Sequence, residues 1–236
     1  MIKVIYHIAD IHIRLFKRHE EYQTILDKLY KEINEDIKKR KLSSDEVRIA
    51  VIILGNHDFL ANNLDRMDAL SPLIESLDNR DVLFYKDTGC YEDENIVWCV
   101  FSQVTGSDRP KIEESKEKFP DKKHIGLYHD PIVGLKTDVG YEFEDGQEIG
   151  IFEGLDWTLC GDIHKREVLK IDKRPVIMVG SLIQQNFGEG INKHGFCIID
   201  IEKDKYTFKD IKNDWGFYSF RINSIEDIEN ETEKLI

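Results

Sequence analysis

The sequence lacks the features of a membrane protein or of a disulfide-stabilised domain. Its four cysteines form no C-x-x-C pair and each lies near an apolar run, which indicates buried, reduced thiols in a reducing compartment. No stretch approaches the roughly 18 apolar residues of a membrane span. The apolar run at the N-terminus, interrupted by Asp10, is too short for a signal peptide. We therefore expect a soluble, cytoplasmic protein without a membrane partner.

Basic residues are also in deficit. The chain has 33 Lys and Arg against 46 Asp and Glu, a formal net charge of −13. This excess argues against a protein that holds nucleic acid by bulk electrostatics alone. A local basic strip, or a site where metal ions supply positive charge, stays compatible with it. The 41% apolar content is enough for the buried core of one large domain.

The first part of the sequence has the pattern of a βαβ unit. Residues 2–9 form an apolar, β-branched run that ends in a polar turn, as a buried strand does. Apolar residues then recur every three or four positions from Tyr22 to Ile37, which predicts a helix with one buried stripe. A second buried strand is predicted over 47–54. Strand, helix and strand in this order imply parallel pairing and a right-handed crossover.

The rest of the chain alternates short apolar runs with polar turns. A second helix is predicted over 63–78, with apolar residues that more often belong to a core than to an interface. Further strands are predicted at 82–85, 96–101, 125–128, 157–160, 175–179 and 196–201. Residues 106–123 and 140–150 are expected to be loops. The pattern predicts an α/β (α+β) domain with sheets inside and helices outside.

Side chains that can ligate a metal ion follow four of the predicted strands. They are Asp10 and His12; Asn56, His57 and Asp58; His129; and Asp162 and His164. In sheets of this class, ligands bind beyond the carboxyl ends of the strands. Residues i and i+2 of an extended turn point the same way, so each D-x-H pair could present two ligands to one side. Four runs therefore deliver metal-ligating groups to what could be a single rim.

The chemistry of this set points to a divalent ion of intermediate hardness, such as Mn²⁺, Fe²⁺ or Zn²⁺. Thiolates are missing from the set, which makes a structural zinc site improbable. Gly55 and Gly161 would let the backbone turn sharply beside the site. Alone, a D-x-H is more often a surface turn, and His129 could equally be a hydrogen-bonded core histidine. The joint arrangement is what indicates a metal centre.

With these motifs in place, the chain resembles the calcineurin-like metallophosphoesterases, whose signature contains D-x-H, G-D-x-x-(H/D), G-N-H-(D/E), a lone His and G-H-x-H. It is most similar to the SbcD-type nuclease subunit of double-strand-break repair, in its phage and large-virus branch. The stretches "HIADIHIRLFKRHEEY", "ILGNHDFLANNLDRMDALSPLIE", "LCGDIHKRE" and "VGSLIQQNFGE…KHGF" carry the resemblance. It implies a two-layer β-sandwich flanked by helices, and a phage or viral protein acting in a host cell.

The resemblance also implies roles for individual residues. Asp10, His12 and His164 would hold one ion, and Asn56, His129 and Asp162 the other, with Mn²⁺ the first choice and Mg²⁺, Fe²⁺ or Zn²⁺ as alternatives. His57 would protonate or orient the leaving group, with Asp58 holding its imidazole. Asp162 departs from the family, which usually has His there. The pair of ions would polarise the phosphodiester and activate a water.

Larger features follow from the same resemblance. Residues 1–216 would be the nuclease domain and 217–236 the start of a truncated capping domain. The partners implied are DNA, an SbcC-type coiled-coil ABC ATPase, and a second copy of the chain in a homodimer. No counterpart of the family's ATPase-binding region is recognised, so we expect the isolated chain not to hold that ATPase tightly.

One family motif is absent. The G-D-x-x-(H/D) segment, whose Asp would bridge both ions, should lie at the end of its own strand before "GNHD". Here "RIAVIILGNHD" resembles the start of one strand joined to the end of the next, with roughly 30 residues, about one βα unit, missing between them. Three explanations for the missing segment stay open: residues missing from the sequence, a deliberate internal deletion, and natural loss. In the last two cases two-metal affinity and nuclease activity should be much reduced, and Asp58 is the nearby carboxylate to check.

Basic residues beside two of the motifs are candidate phosphate contacts. They are Arg14, Lys17, Arg18, Lys165 and Arg166. Ordinary solvated charge is the alternative for each of them. The function expected overall is metal-dependent DNA phosphodiester hydrolysis, exo- or endonucleolytic, in recombination and double-strand-break repair. A metallophosphatase or small-molecule phosphodiesterase, and an impaired scaffold that binds DNA or a partner, are the alternatives.

Overall fold

The computed structural model describes residues 1–12, 18–60, 62–63, 65–77, 82–106 and 108–219. Within these ranges the protein is a mixed α/β structure with three sheets and three α-helices. The predicted sites Arg14 and Lys17 lie outside the described residues, as does most of the proposed capping segment 217–236.

The first sheet has four strands in the order β12–β11–β1–β2. Their bounds are β1 Val4–His7, β2 Val47–Arg48, β11 Gly195–Asp200 and β12 Lys205–Asp210. Strand β1 pairs in parallel with β2 and antiparallel with β11. Helix α1, His19–Arg40, connects β1 to β2, so the predicted βαβ unit and its parallel pairing are confirmed.

The second sheet has six strands in the order β5–β6–β7–β8–β10–β9. Their bounds are β5 Gly89–Asp93, β6 Ile96–Phe101, β7 Lys123–Tyr128, β8 Trp157–Cys160, β9 Glu167–Ile171 and β10 Arg174–Met178. Strands β6, β7, β8 and β10 run parallel to one another. Their carboxyl ends therefore open on one edge of the sheet, as the sequence pattern required.

Side chains from both sheets meet in one apolar core. Ile5 and Ile199 of the first sheet pack in the same buried cluster as Trp98, Leu127 and Ile177 of the second. A second cluster lies under α1, where Tyr22, Ile25, Leu29 and Ile33 are buried. These four belong to the predicted stripe, which is confirmed for them, whereas Tyr30 of the same stripe is 54% exposed. Burying whole Leu or Ile side chains contributes about 1.5–3 kcal/mol each.

The predicted strand over 47–54 is two strands in two different sheets. Strand β2 ends at Arg48, and Val51–Ile52 forms β3, which pairs in parallel with β4, Leu83–Phe84, in a separate two-stranded sheet. Strand β2 covers only Val4 and Ile5 of β1. The chain thus leaves the first sheet before it reaches the turn that carries Asn56, His57 and Asp58. This is the place where the sequence pattern indicates that two strand fragments are joined.

Two other predictions for local structure need correction. The helix predicted over 63–78 is reduced to α2, Ser71–Leu77, because Asp68 caps the backbone N–H groups of Leu70 and Ser71 there. Helix α3, Ile112–Lys118, lies inside the segment expected to be a loop. Its Ser115 is buried and hydrogen-bonds His124 of β7, a contact between residues nine apart that no periodicity signals.

The cysteines are reduced, and Cys90 and Cys99 face each other across β5 and β6 with their sulfurs 3.6 Å apart. Among the described residues, no helix is both long and apolar enough to cross a membrane.

Candidate metal centre

Three of the predicted ligands converge directly. Asp10, at the end of β1, lies with His12 and His164 so that one ligand atom from each is within 4.8 Å of the others. The two imidazole Nε2 atoms of His12 and His164 are 3.0 Å apart, and the Asp10 Oδ1 is 3.7 Å from that of His12. These three residues could hold a metal ion.

The other predicted ligand set adjoins the first. The His129 Nε2 is 4.0 Å from the Asp162 Oδ1 and 3.8 Å from the Asp10 Oδ1. The Asn56 amide donates to the Asp162 Oδ1 at 2.7 Å. All six predicted ligands therefore lie around one point, at the ends of β1, β3, β7 and β8. The predicted ligands are therefore close together, although β1, β3 and the pair β7 and β8 belong to three different sheets.

The backbone at this edge is held in an unusual conformation. Asp10, His12 and Asp162 have positive φ angles of 49°, 48° and 71°. Residues other than glycine seldom adopt this left-handed region, and such strain is concentrated at functional sites. Asp162 is also fixed by its backbone N–H, which donates to the Asp10 Oδ1 at 3.0 Å. The two D-x-H turns are thus tied to each other.

Two glycines make room for the His129 ring. A Cβ at Gly55 would lie 2.7 Å from the His129 Nε2, and a Cβ at Gly161 would be still closer to its Nδ1. The imidazole is therefore sandwiched between the G-N-H-D turn and the G-D-x-H turn. Close approach is the reason both positions need glycine, as the sequence predicted.

The buried carboxylate of Asp10 has one oxygen without a hydrogen-bond partner among the described residues. That oxygen is Oδ2, and the side chain as a whole is fully buried. Burial alone would raise the pKa of Asp10, but the hydrogen bond with His12 and the nearby His129 and His164 outweigh it and hold that pKa below its ordinary value. A charged, partly unsatisfied carboxylate in this position fits a bound cation.

Glu189 is a functional residue that the motif analysis missed. Its carboxylate lies 2.8 Å from the His164 Nδ1 and also accepts the Gln185 backbone N–H. Burial would lower the pKa of His164, but the hydrogen bond to Glu189 raises it overall, and the pKa of Glu189 is lowered in turn. A carboxylate on Nδ1 leaves Nε2 free to bind a metal. The quoted "NFGE" stretch contains Glu189, but nothing in the sequence connects it to His164.

The predicted catalytic pair is placed differently from its expected arrangement. His57 is exposed, and its ring lies edge-on to that of His12 with the centroids 5.3 Å apart. The Asp58 carboxylate accepts the Gly55 backbone N–H at 2.8 Å, and the described contacts include no hydrogen bond from Asp58 to the His57 ring. Asp58 therefore shapes the turn that presents His57.

The basic residues predicted to contact phosphate differ in how exposed their side chains are. Arg18 pairs with Glu21 at 2.8 Å and donates to the Gln184 carbonyl at 2.7 Å. The Arg166 side chain is 9% exposed and stacks over Phe208. Lys165 is the more accessible of the described candidates, with 35% of its side chain exposed. Arg18 and Arg166 are thus engaged within the fold.

Among known proteins, the chain is similar in sequence to a viral protein. No family model matches the sequence. The chain is 33% identical to "Uncharacterized protein R555" of Acanthamoeba polyphaga mimivirus, in an alignment that covers 99% of the chain and 20% of the relative. The chain therefore spans about a fifth of that relative's length. The alignment runs over 268 residues, more than the 236 of the chain, so it contains gaps in this chain.

Proposed function

We propose that the chain is the phosphoesterase core of an SbcD-type nuclease with a calcineurin-like fold, which hydrolyses DNA phosphodiester bonds with two divalent ions. The observation that carries the proposal is the convergence of all six predicted ligands at the carboxyl ends of four strands. The family resemblance of these motifs, and the two sheets that share a core, also support it.

The donor set fits Mn²⁺ best, with Mg²⁺, Fe²⁺ and Zn²⁺ as alternatives. Asp10, His12 and His164 would hold one ion, and Asn56, His129 and Asp162 the other, with the Asn56 amide turned so that its oxygen faces the ion. Mixed carboxylate, carboxamide and imidazole ligands suit an ion of intermediate hardness. When bound, the ions supply Lewis acidity and a water with a lowered pKa.

The protein's own groups would supply the remaining chemistry. His57 stands at the exposed edge of the site, where its imidazole can donate a proton to the departing oxygen of the cleaved strand. Glu189 keeps the proton of His164 on Nδ1, which fixes the tautomer that a ligand needs. Lys165 is accessible for contact with a neighbouring phosphate.

A second candidate is a scaffold that binds DNA or a partner without efficient cleavage. The specific observation in its favour is the broken strand: β2 ends at Arg48, and the sequence has no G-D-x-x-(H/D) motif between it and the G-N-H-D turn. This candidate predicts ion binding and DNA binding with little hydrolysis.

The test compares wild type with His57→Ala on end-labelled duplex DNA and on a chromogenic phosphodiester, both with Mn²⁺. The proposal expects DNA cleavage that falls about 10²–10⁴-fold in the variant, the usual contribution of a general acid. Hydrolysis of the chromogenic ester without action on DNA would favour a small-molecule phosphodiesterase. Bound ions without either activity would favour the scaffold.

Assembly is part of the same proposal. Around α2, Met67, Leu73 and Leu77 are 68%, 59% and 60% exposed, an apolar surface that a second copy of the chain could cover, as in the family. An SbcC-type ATPase is the expected further partner. Light scattering of the purified chain would report a dimer or a monomer directly.

A further inference from the structure

The absence of the bridging Asp raises the question of which group connects the two ions. The geometry points to Asp10 as the shared ligand of both, a role that the family pattern gives to a different residue and that rests on the proposed two-metal function. Asp10 lies three residues after β1, the strand between β11 and β2 in the first sheet. It stands between the two ligand sets.

The distances place one oxygen between them. The Asp10 Oδ1 is 3.7 Å from the His12 Nε2 on one side and 3.8 Å from the His129 Nε2 on the other. Two atoms that each ligate one ion at about 2.0–2.2 Å can be at most about 4.4 Å apart, and both distances lie within that limit. The same oxygen accepts the Asp162 backbone N–H at 3.0 Å, which fixes the carboxylate in this orientation.

The second oxygen of Asp10 has no hydrogen-bond partner among the described residues. This Oδ2 atom is buried, and the side chain as a whole has no exposed surface. A buried carboxylate oxygen without a partner is costly, and such an atom calls for an explanation. A carboxylate that serves two ions uses more of its acceptor capacity than one that serves a single ion.

The neighbouring carboxylates do not lie between the two ligand sets. Asp58 accepts the Gly55 backbone N–H at 2.8 Å, and burial raises the pKa of Asp130 above its ordinary value. Asp162 Oδ1 is 4.0 Å from His129 and belongs to the second ligand set. Of the described carboxylates at this edge, Asp10 is the one within 4 Å of a histidine from each set.

The test counts Mn²⁺ ions by elemental analysis after dialysis and records their electron paramagnetic resonance. Wild type should bind two ions whose spectrum shows exchange coupling, because a shared oxygen couples them. Asp10→Asn should lose both ions, His12→Ala and His129→Ala should each lose one, and the control Asp130→Asn should keep both. Circular dichroism confirms that each variant is folded.

The outcomes separate this inference from the proposed function. Two ions in wild type with an uncoupled spectrum, or one ion retained by folded Asp10→Asn, would overturn the shared ligand and leave the two-metal function standing. The uncoupled spectrum is measured on wild type, so it tests the shared ligand even if Asp10→Asn fails to fold. A wild-type chain that binds one Mn²⁺ ion or none would overturn both.

Discussion

At the scale of single residues, the contact between Glu189 and His164 bears on which imidazole nitrogen is free to bind a metal ion. The Glu189 carboxylate lies 2.8 Å from the His164 Nδ1, and a proton held there would leave Nε2 available for an ion beside Asp10 and His12. We predict that Glu189→Gln weakens Mn²⁺ binding by about 10–100-fold, as loss of a carboxylate behind a ligating histidine does. Calorimetric titration would measure this. Glu114→Gln, on the exposed surface of α3, is the matched control.

A simple structural role for Glu189 would have a different outcome. If the glutamate only stabilised its loop, Glu189→Gln would lower the unfolding temperature while the folded protein kept its affinity for Mn²⁺. Unchanged affinity in the folded variant would contradict the positioning role.

The fit of His129 between two glycines gives a second prediction at this scale. In Gly161→Ala the new methyl group would collide with the His129 imidazole, so the ring must move away from Asp162. We expect the variant to lose one of two bound ions, counted by elemental analysis. Gly150→Ala, where nothing lies within 4 Å of the new Cβ, should keep both. Two ions in Gly161→Ala would show that the ring tolerates displacement.

At the scale of secondary structure, helix α1 supports the D-x-H turn. Tyr22, buried on its inner stripe, donates its hydroxyl to the His12 carbonyl. We predict that Tyr22→Phe costs about 1 kcal/mol of unfolding free energy, the net value of one hydrogen bond, and weakens Mn²⁺ binding. Urea unfolding and calorimetry measure the two effects. Tyr30→Phe, at a 54% exposed position of the same helix, should change neither.

The same elements show where sequence reasoning succeeds. The buried stripe of α1 and the parallel pairing of β1 with β2 follow from periodicity and chain order, both local signals. The convergence of His129 and Asp162 follows from their positions after β7 and β8, because neighbouring parallel strands end at one edge of a sheet. Asp10 joins them from β1 of the other sheet, through packing that no local signal carries.

Other features depend on tertiary structure that no local signal carries. The segment 47–54 has the composition of one strand, but Val51 and Ile52 find their partners in β4, far along the chain. Arg166 follows the G-D-x-H motif as a rim residue would, yet it packs inward over Phe208. Glu189 meets His164 through a loop whose course is set by Gln184 and Gln185.

At the scale of the whole molecule, the net charge of −13 opposes binding to DNA. Two bound divalent ions would supply positive charge where the scissile phosphate lies. We predict that DNA binding, followed by fluorescence anisotropy at fixed salt, requires Mn²⁺ and is abolished by a chelator. Binding that survives chelation would assign DNA affinity to basic side chains such as Lys165 instead.

The central claim, that six side chains from four strand ends form a two-metal centre, is tested most directly by metal stoichiometry. The measurement is elemental analysis of the purified chain after dialysis against Mn²⁺, with the His12→Ala, His129→Ala double variant in parallel. The account predicts two ions per wild-type chain and none in the double variant. One ion or none in wild type, or equal content in both proteins, would contradict it.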